Sequence, residues 1–382
     1  MRDGSLGSGS IGYDSRSRGV LAALFSLGLS LGACGDDTGT GGGTGGEPAA
    51  GGGGSPATGG GGATSGGGGA GGQEPFIPTP EDVQFQSVNP MPLGEWLVFN
   101  DWNPAPNEVL VMRPDGTDEV TVFRAYRVWS LATSRDQNRI AFSAGDPEQE
   151  AHYGVTLGDA IQPTFIYDAT LEAAENLTYG NINDECLRFG PGDKFLYLCR
   201  RAGFAGVEPP EQGYRVGRVD LETREFAWLT GLDPESFALN PEPSLDETQL
   251  YFTRIPLGET RFVARAPLPN ATPEESFLDA AGAPRLSADG TKMLYNDYGQ
   301  AGALLVVDLQ TLDKTLIAEG EVGTARWSPD GNKVAFLRWD NEGQCSHVEI
   351  TDADGSTLDT PTRIHDCVDS GRFVTQLEWV LR

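Results

Sequence analysis

Three features of this sequence predict an all-β chain closed into a six-bladed β-propeller of four-stranded antiparallel blades. The first is a hairpin signature at Ala325–Leu337, where two short apolar runs flank the turn Ser328-Pro329-Asp330-Gly331. The second is its recurrence, marked by an aromatic in the second strand: Phe99, Phe142, Tyr197, Phe252, Tyr295 and Phe336, spaced 41 to 55 residues apart. The third is a further alternating strand with its own turn downstream of most of these aromatics, as in Ala303–Ala318. A lone hairpin is marginal in water, so each unit must bury its faces against neighbours.

Each hairpin follows from local chemistry. Pro329 presets φ early in the turn, Asp330 can bond back to nearby backbone, and Gly331 supplies positive φ. Matching turns stand upstream of the other aromatics at Ser134-Arg135-Asp136-Gln137, Gly190-Pro191-Gly192-Asp193, Ser244-Leu245-Asp246-Glu247 and Ser287-Ala288-Asp289-Gly290. Met91-Pro92-Leu93-Gly94 is a degenerate version. The last strand, from Phe373 to Val380, mimics the first strand of a repeat, with Glu378-Trp379 in the place of Arg326-Trp327. It is expected to complete the blade begun near Val83 and so remove the last open sheet edge.

The segment from Trp327 to Phe336, with its following Val307-Asp308 or Asp354-Gly355-Ser356 type of turn, resembles the TolB-type β-propeller repeat, a relative of the WD repeat without the WD dipeptide. The resemblance covers roughly residues 83 to 382. It implies the fold, and propellers host many unrelated functions. The family's namesake carries a small α/β domain ahead of its propeller, whereas this chain has a glycine tract there, so the namesake's partners do not transfer.

The N-terminus reads as an export signal. Arg2, Arg16 and Arg18 precede the apolar run Val20–Leu31, which is too short to span a bilayer. It ends Leu31-Gly32-Ala33-Cys34, a pattern that resembles a bacterial lipoprotein signal and implies lipidation of Cys34. Three acyl chains would anchor it firmly at about 0.8 kcal/mol per buried methylene. The expected domains are a signal peptide at 1–33, a lipidated and disordered glycine-rich tether at 34–75, and the propeller at 76–382. The tether would reach about 35 Å from the membrane. The expected location is the bacterial envelope, most simply the outer membrane, on its periplasmic or exposed side.

Charge excludes one class of partner. The chain carries 55 acidic against 27 basic residues, a net of −28, so nucleic acid and bare anionic lipid are poor partners. The partners expected are an envelope protein or a glycan, with the membrane reached through the lipid; a monomer with no cofactor is expected.

Besides Cys34 the chain has Cys186, Cys199, Cys345 and Cys367. In symmetric hairpins, partners share a constant index sum. That rule pairs Cys186 with Cys199 and Cys345 with Cys367, which predicts two disulfides in an oxidising envelope. By the same rule His347 and His365 should face each other. Two imidazoles across a hairpin can seed a metal site if a further ligand joins them. His152 is the only other histidine.

Other chemistry is thin. No GxSxG elbow, HExxH helix or P-loop is present. Asp352-Ala353-Asp354-Gly355-Ser356 reads as a hairpin turn rather than a calcium loop, because Arg363 stands where a bidentate Glu would be needed. The loops on the face opposite the Ser-Pro-Asp-Gly turns are long, irregular and aromatic. They supply the binding-face candidates Trp102, His152, Tyr153, Phe204, Tyr214, Tyr298, Trp339 and Asp340. The expectation is a non-catalytic binding or scaffold module. The alternatives are a metal-dependent polysaccharide lyase or hydrolase working through His347 and His365, and a passive surface lipoprotein.

Overall fold

The computed structural model describes residues 77–382 apart from 103–105, 146–160, 181, 203–212, 234 and 301. The expected signal peptide, Cys34 and the tether lie outside the described residues, as do His152, Tyr153 and Phe204. Among the described residues no helix is long and apolar enough to cross a membrane.

Six sheets surround a central channel, as the repeats predict. Blade 1 holds β1 (Gln86–Ser87), β2 (Glu95–Asp101), β3 (Asn107–Met112) and β4 (Val120–Ala125). Blade 2 runs outward through β5 (Val128–Thr133), β6 (Arg139–Ala144), β7 (Thr164–Asp168) and β8 (Ala173–Asn176). Blade 3 comprises β9 (Ile182–Phe189), β10 (Phe195–Ala202), β11 (Arg215–Asp220) and β12 (Phe226–Trp228). Blade 4 comprises β13 (Ser236–Pro243), β14 (Gln249–Pro256), β15 (Phe262–Pro267) and β16 (Glu275–Asp279). Blade 5 comprises β17 (Ala281–Leu286), β18 (Lys292–Asp297), β19 (Ala303–Asp308) and β20 (Lys314–Ala318). Blade 6 comprises β21 (Val322–Trp327), β22 (Lys333–Asp340), β23 (Cys345–Asp352) and β24 (Thr362–His365). A single helical turn, α1 (Cys367–Ser370), leads to β25 (Val374–Leu381).

The ring closes as the terminal strand predicts. β25 pairs antiparallel with β2, with Leu97 opposite Trp379 and Phe99 opposite Leu377, so the C-terminus becomes the innermost strand of blade 1. With the two-residue β1 on its outer edge, this blade has five strands. The innermost strands contact one another in sequence, β5 to β9, β13, β17, β21, β25 and back to β5.

The aromatics that mark the repeats are the centre of the packing. Phe142, Tyr197, Phe252, Tyr295 and Phe336 have no exposed surface and Phe99 almost none. Burying each such ring contributes about 1.5 to 3 kcal/mol. The apolar clusters lie between consecutive blades: one joins Phe123 of blade 1 to Phe142 and Tyr167 of blade 2, another joins Leu294 of blade 5 to Trp327 and Phe336 of blade 6. Polar residues just after the aromatic tie neighbouring blades together. Asn100 donates to Val128 O at 2.9 Å, Asn296 donates to Val322 O at 2.6 Å, and Thr253 Oγ1 accepts from Ala283 N at 2.9 Å.

The turns carry the bonds their residues promise. Ser328 Oγ donates to Asp330 Oδ1 at 2.6 Å, while Asn332 N and Lys333 N donate to Asp330 and Ser328. The Ser287-Asp289 and Ser244-Asp246 turns repeat the same pattern. Gly290 has a φ of 71°, which favours glycine, and a Cβ there would meet the Leu245 side chain of the neighbouring turn at 2.9 Å. Asp193 instead reaches across to blade 2, accepting from Arg135 N and Asp136 N at 2.8 and 2.9 Å.

The constant index sum holds only until a bulge intervenes. Between β9 and β10 the register slips by one after Arg188 opposite Tyr197, so that Cys199 faces Glu185. Cys186 sits in the bulge at a φ of 52°, and both Cys186 and Cys199 are free thiols rather than the predicted disulfide. The bulge belongs to the repeat: Asn240 and Ala283 occupy the matching place in β13 and β17 with φ of 53° and 52°. A slip between β23 and β24 likewise puts Val348, not His347, opposite His365. The Cys345 to Cys367 disulfide forms nonetheless, because α1 carries Cys367 back over β23.

Candidate functional site

Strand direction assigns the two ends of the channel. The innermost strands run toward the Ser-Pro-Asp-Gly type turns, so their first residues and the last residues of each second strand meet at the opposite, loop end. Trp129 lies near the start of β5, Phe373 just before β25, Trp102 just after β2, and Trp339 near the end of β22. These four side chains from blades 6, 1 and 2 form two pairs along that end. Trp339 meets Phe373 edge-on with centroids 6.0 Å apart, and Trp102 meets Trp129 at 4.8 Å and 72°. The two pairs are joined by Trp102 N donating to Phe373 O at 2.9 Å. All four rings are half-buried.

This arc continues into blade 3. Glu185 accepts from Tyr214 Oη at 2.9 Å and from Trp129, and burial holds its carboxyl above the usual range despite those bonds. At the other end Trp339 Nε1 donates to Asn341 Oδ1 at 3.0 Å. Trp102 Nε1 is buried with no acceptor among the described residues, in the middle of the arc. Arg372 stands beside Phe373 and pairs with Glu119 at 2.6 Å, facing Asp101 and Glu108 at 3.6 Å.

The predicted candidates divide into three groups. Trp102, Tyr214 and Trp339 fall in the arc. Tyr298 lies apart from it, on blade 5 under the Arg261 guanidinium at 4.1 Å, and burial raises its phenol above the ordinary value. Asp340 is a structural acceptor: it takes Glu342 N, Gly343 N and His347 Nε2 at 2.8, 3.0 and 2.9 Å, and these bonds lower its carboxyl. Of the residues added by the structure, Trp129 and Phe373 are aromatics at the start of innermost strands, which a strand reading assigns to the core.

His347 and His365 are held by separate partners. His347 is held by Asp340 and by Cys367 N, which donates to its Nδ1 at 3.2 Å. His365 bonds Ser370 Oγ at 3.2 Å and lies 5.6 Å from the Phe99 ring, and burial, then Arg372, lowers it to about 4. Among the described residues no group of three or more His, Cys, Asp or Glu could hold a metal ion.

No protein-family model and no curated protein matches this chain. Among solved structures it is similar to TolB from Acinetobacter baumannii, at 18% identity and a TM-score of 0.56 over 75% of this chain and 65% of that one. Its fold is a TolB-type β-propeller. This TolB-type propeller spans under two thirds of the TolB chain it matches. It is also similar to a chain of a Nidogen/Laminin complex, at 10% identity and a TM-score of 0.53, covering 75% of this chain and 99% of that one.

Proposed function

We propose that this TolB-type propeller is a non-catalytic binding module of a cell-envelope lipoprotein, tethered through Cys34 and engaging an envelope protein or glycan at its loop end. The observation that supports it is the arc Trp339, Phe373, Trp102 and Trp129. Four large rings held as two edge-on pairs and partly exposed to solvent, on the irregular end of an otherwise regular ring, have the composition of a binding hot spot. Such rings can stack on sugar faces or receive an apolar side chain. The acidic balance of the chain favours a neutral or basic partner.

The test is crosslinking capture from native envelope with the parent chain and the Trp102→Ala, Trp129→Ala double variant. The parent should retain a discrete protein or glycan, and the variant should lose at least tenfold of it while unfolding within a few degrees of the parent. Equal capture by both, or capture of nothing by the parent, would leave only a passive spacer. Stoichiometric metal in the purified chain, with activity lost in His347→Ala, would instead favour the lyase alternative.

A further inference from the structure

The turn end of the channel carries a different chemistry. Each innermost strand places one residue at the same level, two positions before the turn in blades 2 to 6 and matched by register in β25: Ala132, Arg188, Glu242, Arg285, Arg326 and Glu378. The pairing among them is uneven. Arg326 grips Glu378 Oε1 with Nε at 2.7 Å and Nη2 at 2.6 Å. Arg188 donates from Nη2 to Glu242 Oε1 at 3.0 Å, with its Nε 2.8 Å from Oε2, which accepts no hydrogen bond among the described residues, and its Nη1 4.0 Å from Glu378. Arg285 is left over. Among the described residues its closest carboxylate contact is Glu242 at 3.8 Å, its Nη1 donates to Pro284 O at 2.7 Å, and its Nε is buried without an acceptor.

Arg285 has only 8% of its side chain exposed, so the surplus guanidinium is desolvated as well as underpaired. Burial first and Arg326 second pull it down to about 9, whereas Arg188, with 20% of its side chain exposed, is raised by Glu242 and Glu378 against its own burial. Where Ala132 leaves a gap in the ring, Arg135 from the blade 2 turn lines the same space. The result is a cavity of about 240 Å³ lined by Arg135, Arg188, Arg285, Arg326 and Glu378, with Trp327 and Trp379 among its walls. Counting Glu242 behind it and Asp193 beside Arg135, four guanidiniums meet three carboxylates, a local excess of positive charge in a chain of net −28.

We propose that this cavity binds a small oxyanion, a phosphate- or carboxylate-bearing molecule, with Arg285 as its principal donor and Arg135 and Arg326 beside it. Guanidinium forks match such oxygens two at a time, and the low-dielectric wall strengthens the contact. The bound anion would supply the charge that the three carboxylates do not. The volume suits a small ligand, not a polymer. This site is at the opposite end of the channel from the aromatic arc, and stands whether or not the arc binds a partner.

The test is calorimetric titration of the full chain with inorganic phosphate and with citrate, at ionic strength held constant with sodium chloride. At least one should bind one to one; a response to phosphate alone assigns a phosphoryl ligand, and to citrate alone a carboxylate. Arg285→Gln should weaken that binding tenfold or more, and Arg285→Lys, which keeps charge but not the fork, should fall between. Arg135→Gln, a change at an exposed side chain, should weaken it severalfold, and serves if the Arg285 variants do not fold. Trp102→Ala should bind as the parent does. The proposal is overturned if neither anion does better than chloride, or if Arg285→Gln and Arg135→Gln both bind as tightly as the parent.

Discussion

The two ends of the channel are made by the same strands and share almost nothing in their chemistry. At the turn end, short turns with Ser-to-Asp bonds repeat from blade to blade, and the channel is lined by Arg and Glu at equivalent positions. At the loop end, connections differ in length, and aromatics from blades 6, 1 and 2 touch without any repeating rule. A repeat constrains what every blade must do, which is to turn, pair and pack. What only one or two blades do is free to vary, so the irregular end is where a specific partner can be read. The turn end shows that regularity can also hide a site: six equivalent positions filled by three cations, two anions and an alanine are regular in place and asymmetric in charge.

The comparison breaks most completely if the ring opens. β25 contributes to both ends, Phe373 at its entry and Glu378 near its exit, and it covers the inner edge of β2. Deleting residues 373–382 should abolish the cooperative thermal transition and promote aggregation, because an uncovered edge and an uncovered apolar cluster remain. Calorimetry of the truncated chain decides it. A transition like that of the parent would mean that blade 1 holds without its innermost strand.

Glu378→Gln sharpens the comparison by acting on the turn end alone. Arg326 would lose its anionic partner while only 6% of its side chain is exposed, and an uncompensated buried charge costs about 3 to 5 kcal/mol. Denaturant melts should show that loss. The double change Arg326→Met with Glu378→Gln should recover most of it. If Glu378→Gln is neutral, the ring is solvated in solution and the pairing carries little stability.

The turn signatures and aromatic landmarks were legible in the sequence because their chemistry is local. Asp330 and Gly331 act within their own turn, and Phe336 is apolar at the same phase in every repeat, so blade count, strand order and closure all follow. The bulge was not legible. It needs one residue in a left-handed conformation, and Cys186, Asn240 and Ala283 share no side-chain property that would announce it. A one-residue slip was enough to undo the Cys186 to Cys199 pairing and the facing of His347 with His365, while Cys345 to Cys367 survived through α1. The arc was half legible: Trp102 and Tyr214 sit in loops and Trp339 at the end of a strand that the sequence reads as loop, whereas Trp129 is indistinguishable from a core residue until the ring places it at a strand entrance. The charge ring was visible as the match of Arg326-Trp327 with Glu378-Trp379, but only the innermost position of those strands gives the match a meaning.

The smallest effect is a pH dependence belonging to the loop end. His365 is buried beside Phe99, with Arg372 near enough to oppose its protonation, which lowers its folded value from 6.5 to about 4. The folded chain therefore keeps this imidazole neutral where the unfolded chain would take up a proton. Its contribution is fully present above pH 6.5 and is lost progressively as the pH falls from 6.5 to 4, by about 3 kcal/mol at most. The turn carboxylates act later: Asp289 and Asp330, lowered first by their serine bonds, lose their contribution only below the ordinary carboxyl value of 3.8. Urea melts from pH 7 to 3 should thus show two separate declines. His365→Leu should erase the upper one and leave the lower. If the upper decline persists in that variant, another group at the loop end takes up the proton, and the burial of His365 is not what makes the two ends of the molecule respond to acid at different pH.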